Sequence, residues 1–274
     1  MDRTTDTLTP TGDGTYTLHS AEFDENMHSL SGAYEEALLK HVIPSGVLEL
    51  ASENVTVLDV GFGIGYNTLA LLAGLADINY SGGISVISFE KERSFLPFMD
   101  SIIFNDTRDR LYALVKKAYR NGSAREGNSS IEILFGDARK SVRTLSDNRF
   151  DAVFFDPYSP SHNPELWTVE FFREIRRIMS GRGVLTTYSS APQVRGALLE
   201  AGFIIGRGPS VGGKREGTLA SQNGPIDPLP RDEIEALGRN PRAVPYRDGM
   251  LDSGRAEILR RRLDEIRSVR GRGG

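Results

Sequence analysis

With 274 residues, 39% of them hydrophobic and 26% charged, the chain is long enough to bury a sizeable core without a disulfide or metal staple. The absence of cysteine excludes disulfides, thiolate zinc sites and cysteine nucleophiles, and His19, His28, His41 and His162 lack the spacing of a metal-binding helix, so no metal is expected. A net charge of −4 argues against a bulk nucleic-acid binder, and the polar N-terminus and lack of a long apolar run predict a cytoplasmic protein with no signal peptide and no membrane span.

Residues 5–9 and 15–18 are Thr-rich and β-prone around the turn Thr11-Gly12-Asp13-Gly14, which predicts a hairpin. A helix follows over 32–41, stopped by Pro44. From residue 55 the pattern alternates. Strands are expected at 55–60, 84–89, 131–135, 150–155 and 183–188, with helices at 65–76, 165–179 and 193–201. Such alternation means βαβ units, hence a doubly wound, Rossmann-like α/β sheet covered on both faces. Beyond Phe203, residues 203–206 and 218–221 suit a closing antiparallel hairpin around a glycine-rich loop. Residues 223–250 carry five prolines and no clear period and read as irregular. A charged helix is expected over 255–267, in an Arg-rich tail. The expected division is 1–45 as a segment closing over the site, 46–222 as the α/β domain and 223–274 as a C-terminal extension.

The first strand runs into Gly61, Gly63 and Gly65, which let the backbone turn sharply and approach a ligand just before a helix N-terminus. A tight βα turn with no ligand would look the same. The dinucleotide fingerprint needs a glycine at position 66, where Tyr66 stands, so a nicotinamide enzyme is disfavoured. Glu90 ends the second strand, where a carboxylate can accept hydrogen bonds from both hydroxyls of a ribose; alternatively it is a solvated residue ahead of Lys91-Glu92-Arg93. Asp137, after the third strand, suits a nucleoside contact or an ordinary helix N-cap. Acids at consecutive strand ends line one crevice, which is where open α/β sheets bind ligands. The fourth strand ends in Asp156-Pro157-Tyr158-Ser159-Pro160. A carboxylate there can orient an amine and take up or pass on its proton, with Tyr158 as an aromatic wall or hydroxyl.

Asp59-Val60-Gly61-Phe62-Gly63-Ile64-Gly65 resembles the first motif of class I S-adenosylmethionine-dependent methyltransferases, and Asp156-Pro157-Tyr158 is similar to the signature of those acting on nitrogen. The longer run from Asp156 through Asn163-Pro164-Glu165-Leu166-Trp167 resembles the methyltransferase domain of MnmC, the tRNA 5-methylaminomethyl-2-thiouridine biosynthesis enzyme. So do Thr187-Tyr188-Ser189-Ser190-Ala191, Gly213-Lys214-Arg215-Glu216 and the early Thr11 to Leu18 with His28-Ser29, in the same order. Asp59-Val60 stands where a Glu next to the glycine is common in that family, and Asp156-Pro157-Tyr158 where Asp-Gly-Phe is frequent; both changes keep the acid and the aromatic.

The resemblance implies S-adenosylmethionine as cofactor and N-methylation of the 5-aminomethyl group of a wobble uridine in tRNA. It also implies the stand-alone version of the enzyme, without the FAD-dependent oxidase domain. The implied cofactor contacts are Asp59, Gly61, Phe62, Gly63, Gly65 and Asn67 around the loop, with Glu90, Lys91, Gly136, Asp137, Ala138 and Asp156 at the strand ends and Ser29 from the N-terminal segment. Asp156 and Tyr158 carry the chemistry, and Ser159, Pro160, Trp167, Lys214 and Arg215 meet substrate or tRNA. Some of these residues read equally as structure: Trp167 and Phe171 lie at helical spacing, so at least one should be core. Lys214 and Arg215 suit a solvated hairpin tip, His28 a structural histidine, and the Arg-rich tail a solvated helix. The rival readings are a spermidine synthase-like aminopropyltransferase or a methyltransferase of another small amine, and a noncatalytic nucleoside- or RNA-binding module. The aminopropyltransferase should show further aspartates near the fourth strand end; the binding module should have lost Asp156.

Overall fold

A computed structural model describes residues 6–50, 54–211 and 216–271. A small antiparallel sheet comes first: β1 (Thr7–Pro10), β2 (Tyr16–Ser20) and β3 (Glu25–Asn26), in that order. Its first turn is tied by the Asp13 carboxylate, which accepts from Thr11 Oγ1 and from both the N–H and the hydroxyl of Thr15. The expected hairpin is therefore present, extended by a third strand. Helix α1 (Ala33–Ala37) then passes into a π-helical turn, Leu38–Val42, and a 3-10 turn, Ile43–Ser45, that accommodates Pro44.

The main sheet has eight strands. They are β4 (Val55–Val60), β5 (Ile84–Glu90), β6 (Ser123–Glu126), β7 (Ser129–Phe135), β8 (Phe150–Phe155), β9 (Met179–Thr187), β10 (Ile204–Arg207) and β11 (Thr218–Ser221). Their spatial order is β10-β11-β9-β8-β4-β5-β7-β6. The five central strands are parallel, and β11 and β6 join antiparallel. Chain order reverses between β4 and β8, so the crevice at their C-terminal ends is the topological switch point where such sheets bind ligands.

Alternation along the buried strands feeds two cores. Val57 and Phe154 face a cluster with α2 (Tyr66–Asp77) and α4 (Arg108–Asn121); Leu58 and Phe155 face another with α6 (Val169–Ile178) and α7 (Pro192–Glu200). The short α3 (Leu96–Ser101) and α5 (Ala138–Ser141) cover the β5–β7 side. Residues 223–250 are not wholly irregular, because α8 (Arg231–Arg239) lies within them. The prolines punctuate instead of breaking: Pro230 caps α8 and Pro241 follows it. The tail forms α9 (Arg255–Gly271). Among the described residues no helix is long and apolar enough to cross a membrane.

Candidate active site

The parallel strands β4, β5, β7 and β8 end on one cleft of about 810 Å³, within the ~300–1,000 Å³ typical of ligand sites. The glycine loop forms one wall. Gly61 has φ +93°, and a Cβ there would stand 2.8 Å from the Asp156 carbonyl oxygen, so no other residue fits without moving the loop that carries Asp156. The N–H groups of Gly61 and Phe62 both bond Phe89 O at 3.1 Å, which pins the loop to β5.

Glu90 is 8% exposed and lines the cleft. Its carboxylate accepts from Gly63 N at 2.8 Å and Glu92 N at 2.7 Å. Burial pushes its pKa up to about 7 in spite of those two donors. Asp137 caps α5, accepting from Arg139 N, and also lines the cleft. The Arg139 guanidinium spans Asp137 Oδ2 and Asp248 Oδ2, each at 2.9 Å.

Asp156 lies across the cleft from Glu90. Burial works to raise its pKa, but the imidazoles of His41 and His28 and the Asn67 amide outweigh burial, and the carboxyl sits below its ordinary value. Asn67 Nδ2 donates to Asp156 Oδ2 at 3.1 Å and to Asp59 Oδ1 at 3.3 Å, and Thr68 Oγ1 donates to Asp59 Oδ2. Asp59, fully buried, is pushed up to about 7 by burial and by the charge of Asp156, against the Asn67 and Thr68 bonds. Two acids that share one amide are thus driven apart: Asp156 keeps its charge and Asp59 tends to lose it. Tyr158 stacks on Phe23 at 4.0 Å between ring centres, and this pair forms an aromatic wall beside Asp156.

The sequence-derived site residues divide into groups. Gly61, Gly63, Glu90, Lys91, Gly136, Asp137, Ala138, Asp156, Tyr158 and Ser159 all line the cleft. Lys91 does so at the mouth, paired with Glu22 at 3.0 Å. Asp59, Phe62 and Asn67 are buried behind the loop and touch the cleft only through other groups. Gly65, in the left-handed region, starts α2. Ser29 is turned toward Ser31, its N–H bonded to Glu36. Pro160 is buried. Trp167 corrects an expectation: it is fully buried, its indole N–H donating to Tyr158 O at 2.8 Å, so it braces the loop after β8 and offers no face to a substrate. Phe171 is core as well. Lys214 and Arg215 fall outside the described residues. His28 lines the cleft, edge-on to Tyr66. Phe23, Glu25, His41 and Arg139 had no signal in the sequence, because none ends a strand or belongs to a glycine loop. Glu25 accepts from Ser159 N at 3.0 Å and faces His162 Nδ1 at 2.7 Å, fastening β3 to the loop after β8.

The cleft suits a nucleoside carrying a charged tail: backbone approaches closely at Gly61 and Gly63, and acids stand at the ends of β5 and β7. The comparisons agree. Residues 103–223 match a family described as S-adenosyl-L-methionine-dependent methyltransferase. An uncharacterized protein of Methanocaldococcus jannaschii is 35% identical over 257 residues, 92% of this chain and 70% of that one. The bifunctional tRNA 5-methylaminomethyl-2-thiouridine biosynthesis protein MnmC of Ralstonia nicotianae is 31% identical over 224 residues, 75% of this chain. This chain spans about a third of its length. The crystal structure of MnmC2 from Aquifex aeolicus superposes with a TM-score of 0.86 at 36% identity, covering 96% of this chain and 85% of that one. On these likenesses, with the glycine loop and strand-end acids in place, the chain belongs to the S-adenosyl-L-methionine-dependent methyltransferase family that includes MnmC2.

Proposed function

We propose that this chain methylates the primary amine of 5-aminomethyluridine, with or without 2-thiolation, at the wobble position of tRNA. The observation that carries the reading is Asp156, a carboxylate held ionised at the end of β8, between the glycine loop and the Phe23–Tyr158 wall. The names of the MnmC relatives supply the substrate class.

S-adenosylmethionine supplies an electrophilic methyl group on sulfur. The chain's own residues do the rest. Glu90 would hold the ribose hydroxyls, Asp137 would face the base and the glycine loop would receive the amino-acid end. Asp156 accepts a hydrogen bond from the amine and points its lone pair along the line of transfer. The amine would have to be neutral to take that methyl group, with the sulfur retaining the electron pair of the broken bond, and Asp156 would pass the proton of the resulting secondary ammonium on to water. Phe23 and Tyr158 give the pyrimidine a surface to lie on. Positioning of this kind can supply much of the acceleration.

The test is transfer of labelled methyl to tRNA bearing 5-aminomethyluridine, beside unmodified tRNA and free polyamines. Label confined to the aminomethyl tRNA supports the proposal. Label on a free amine alone moves the substrate to a small cation, a reading favoured by the acids Glu22, Glu25, Glu92 and Glu165 around the cleft.

A further inference from the structure

The proposed reaction leaves a buried histidine beside Asp156 without a part. His41 is 1% exposed and sits in the π-helical turn after α1, an irregularity often found at functional positions. Its Nδ1 is 2.9 Å from Thr186 Oγ1 on β9, and its Nε2 is 3.6 Å from Asp156 Oδ1. The first distance is a hydrogen bond. The second is too long for a good one but well within ion-pair range. Phe154 packs against the ring at 5.9 Å between centres.

This geometry divides the labour around Asp156. Asn67 holds one carboxylate oxygen from behind, and His41 stands behind the other. The remaining lone pairs are left for the cleft. Thr186 Oγ1 also approaches Val153 O at 3.5 Å, so its hydroxyl can donate there while accepting from His41 Nδ1. In that arrangement Nδ1 is engaged by Thr186 and the Nε2 edge of the ring is the one directed at Asp156. The other titratable groups around His41 are Asp59 on β4, His28, Tyr188 and the Glu36–Lys40 ion pair one turn earlier. Glu36 is matched by Lys40 at 2.9 Å, and Asp59 is fully buried with Thr68 and Asn67. Asp156 is the carboxylate that stands within ion-pair range of His41 Nε2.

We infer that His41 is a positioning residue: with Thr186 setting the ring's orientation, its Nε2 edge backs the Asp156 carboxylate and fixes that carboxylate's direction into the cleft. This rests on the reading of Asp156 as the group that orients the amine. A residue that merely filled space would affect stability, but not the charge of its neighbour.

The decisive readout is the carboxyl ¹³C titration of Asp156 in aspartate-labelled protein, with Asp156→Asn used to assign the signal. In His41→Gln the Asp156 midpoint rises by about one pH unit or more, a tenfold weakening of its acidity. Thr186→Val gives a smaller rise in the same direction and serves should His41→Gln fail to fold. An unmoved Asp156 midpoint in a folded variant overturns the inference. With aminomethyl tRNA as acceptor, His41→Gln also lowers kcat about tenfold while the KM for cofactor holds; a change in that KM alone overturns it. Absence of methyl transfer by the unsubstituted protein would count against the proposed substrate only, and the Asp156 titration would still decide the role of His41.

Discussion

Glu90 ends a strand with its carboxylate sealed under the glycine loop, and that position has two measurable consequences. Its folded-state pKa is raised by burial to about 7, from an ordinary value of 4.5. A group raised in this way contributes stability that is complete below the unfolded value and lost as pH climbs to the folded one. Glu90→Gln removes the titration. The loss of stability between pH 5 and pH 8, measured by urea unfolding, should therefore shrink by about 2–3 kcal/mol. On the proposed ribose contact, cofactor affinity in the same variant falls at least tenfold by calorimetry; unchanged affinity would remove Glu90 from the site. Asp59 carries a similar burial effect, but it meets the cleft only through Asn67 and Asp156. In sequence Asp59 lies within β4 and Glu90 ends β5, but only the fold shows that Asp59 is sealed behind the loop while Glu90 lines the cleft.

Among the elements, the β4–α2 connection is the most constrained. Its strand was legible because Val55-Thr56-Val57-Leu58-Asp59-Val60 is apolar, short and bounded by glycine, and it is buried on both faces as such runs predict. The loop's need for glycine became concrete only with the fold: the Asp156 carbonyl crowds Gly61, and Val115 on α4 would stand 2.5 Å from a Cβ on Gly65. Gly61→Ala should cost at least about 1–2 kcal/mol from backbone strain alone, and should cut methyl transfer further by displacing Asp156. A variant with normal stability and turnover would show that the loop tolerates the change. Helix α4 was passed over in the sequence although Tyr112, Val115 and Tyr119 recur at helical spacing and are buried; its charged outer face obscured the stripe. Helix α8 has no fully buried residue, and only Ile234 and Leu237 pack in part against the core, too short a stripe to announce it.

At the scale of the whole molecule, the small N-terminal sheet and the start of α9 both reach the cleft. Phe23 and Glu25 arrive from the N-terminal sheet, and Arg255 at the start of α9 lines the far side and donates to Ser161 O. Asp248 is fully buried and receives the Arg139 guanidinium, which in turn grips Asp137. The C-terminal extension thereby sets the pose of a residue proposed to face the adenine. Asp248→Asn breaks a buried ion pair and should lower unfolding stability by about 3 kcal/mol. It should also weaken cofactor binding with the glycine loop intact. Loss of stability without any change in cofactor affinity would confine Asp248 to a structural role. The Arg-rich tail is partly spent on the fold: Arg262 donates to Val244 O and Arg242 O, and Arg261 to Ser253 and Glu257.

By itself the sequence determined the alternation of strands and helices, the glycine loop and the acids Glu90, Asp137 and Asp156, because each is written in a few consecutive residues whose spacing follows local geometry. Only the tertiary structure decided which acid keeps its charge, that Trp167 braces a loop, and that Phe23 walls the cleft. It alone brought His41 against Thr186, 145 positions away in the chain. Charge and burial depend on groups from distant segments packed together, and no local pattern records which segments those will be.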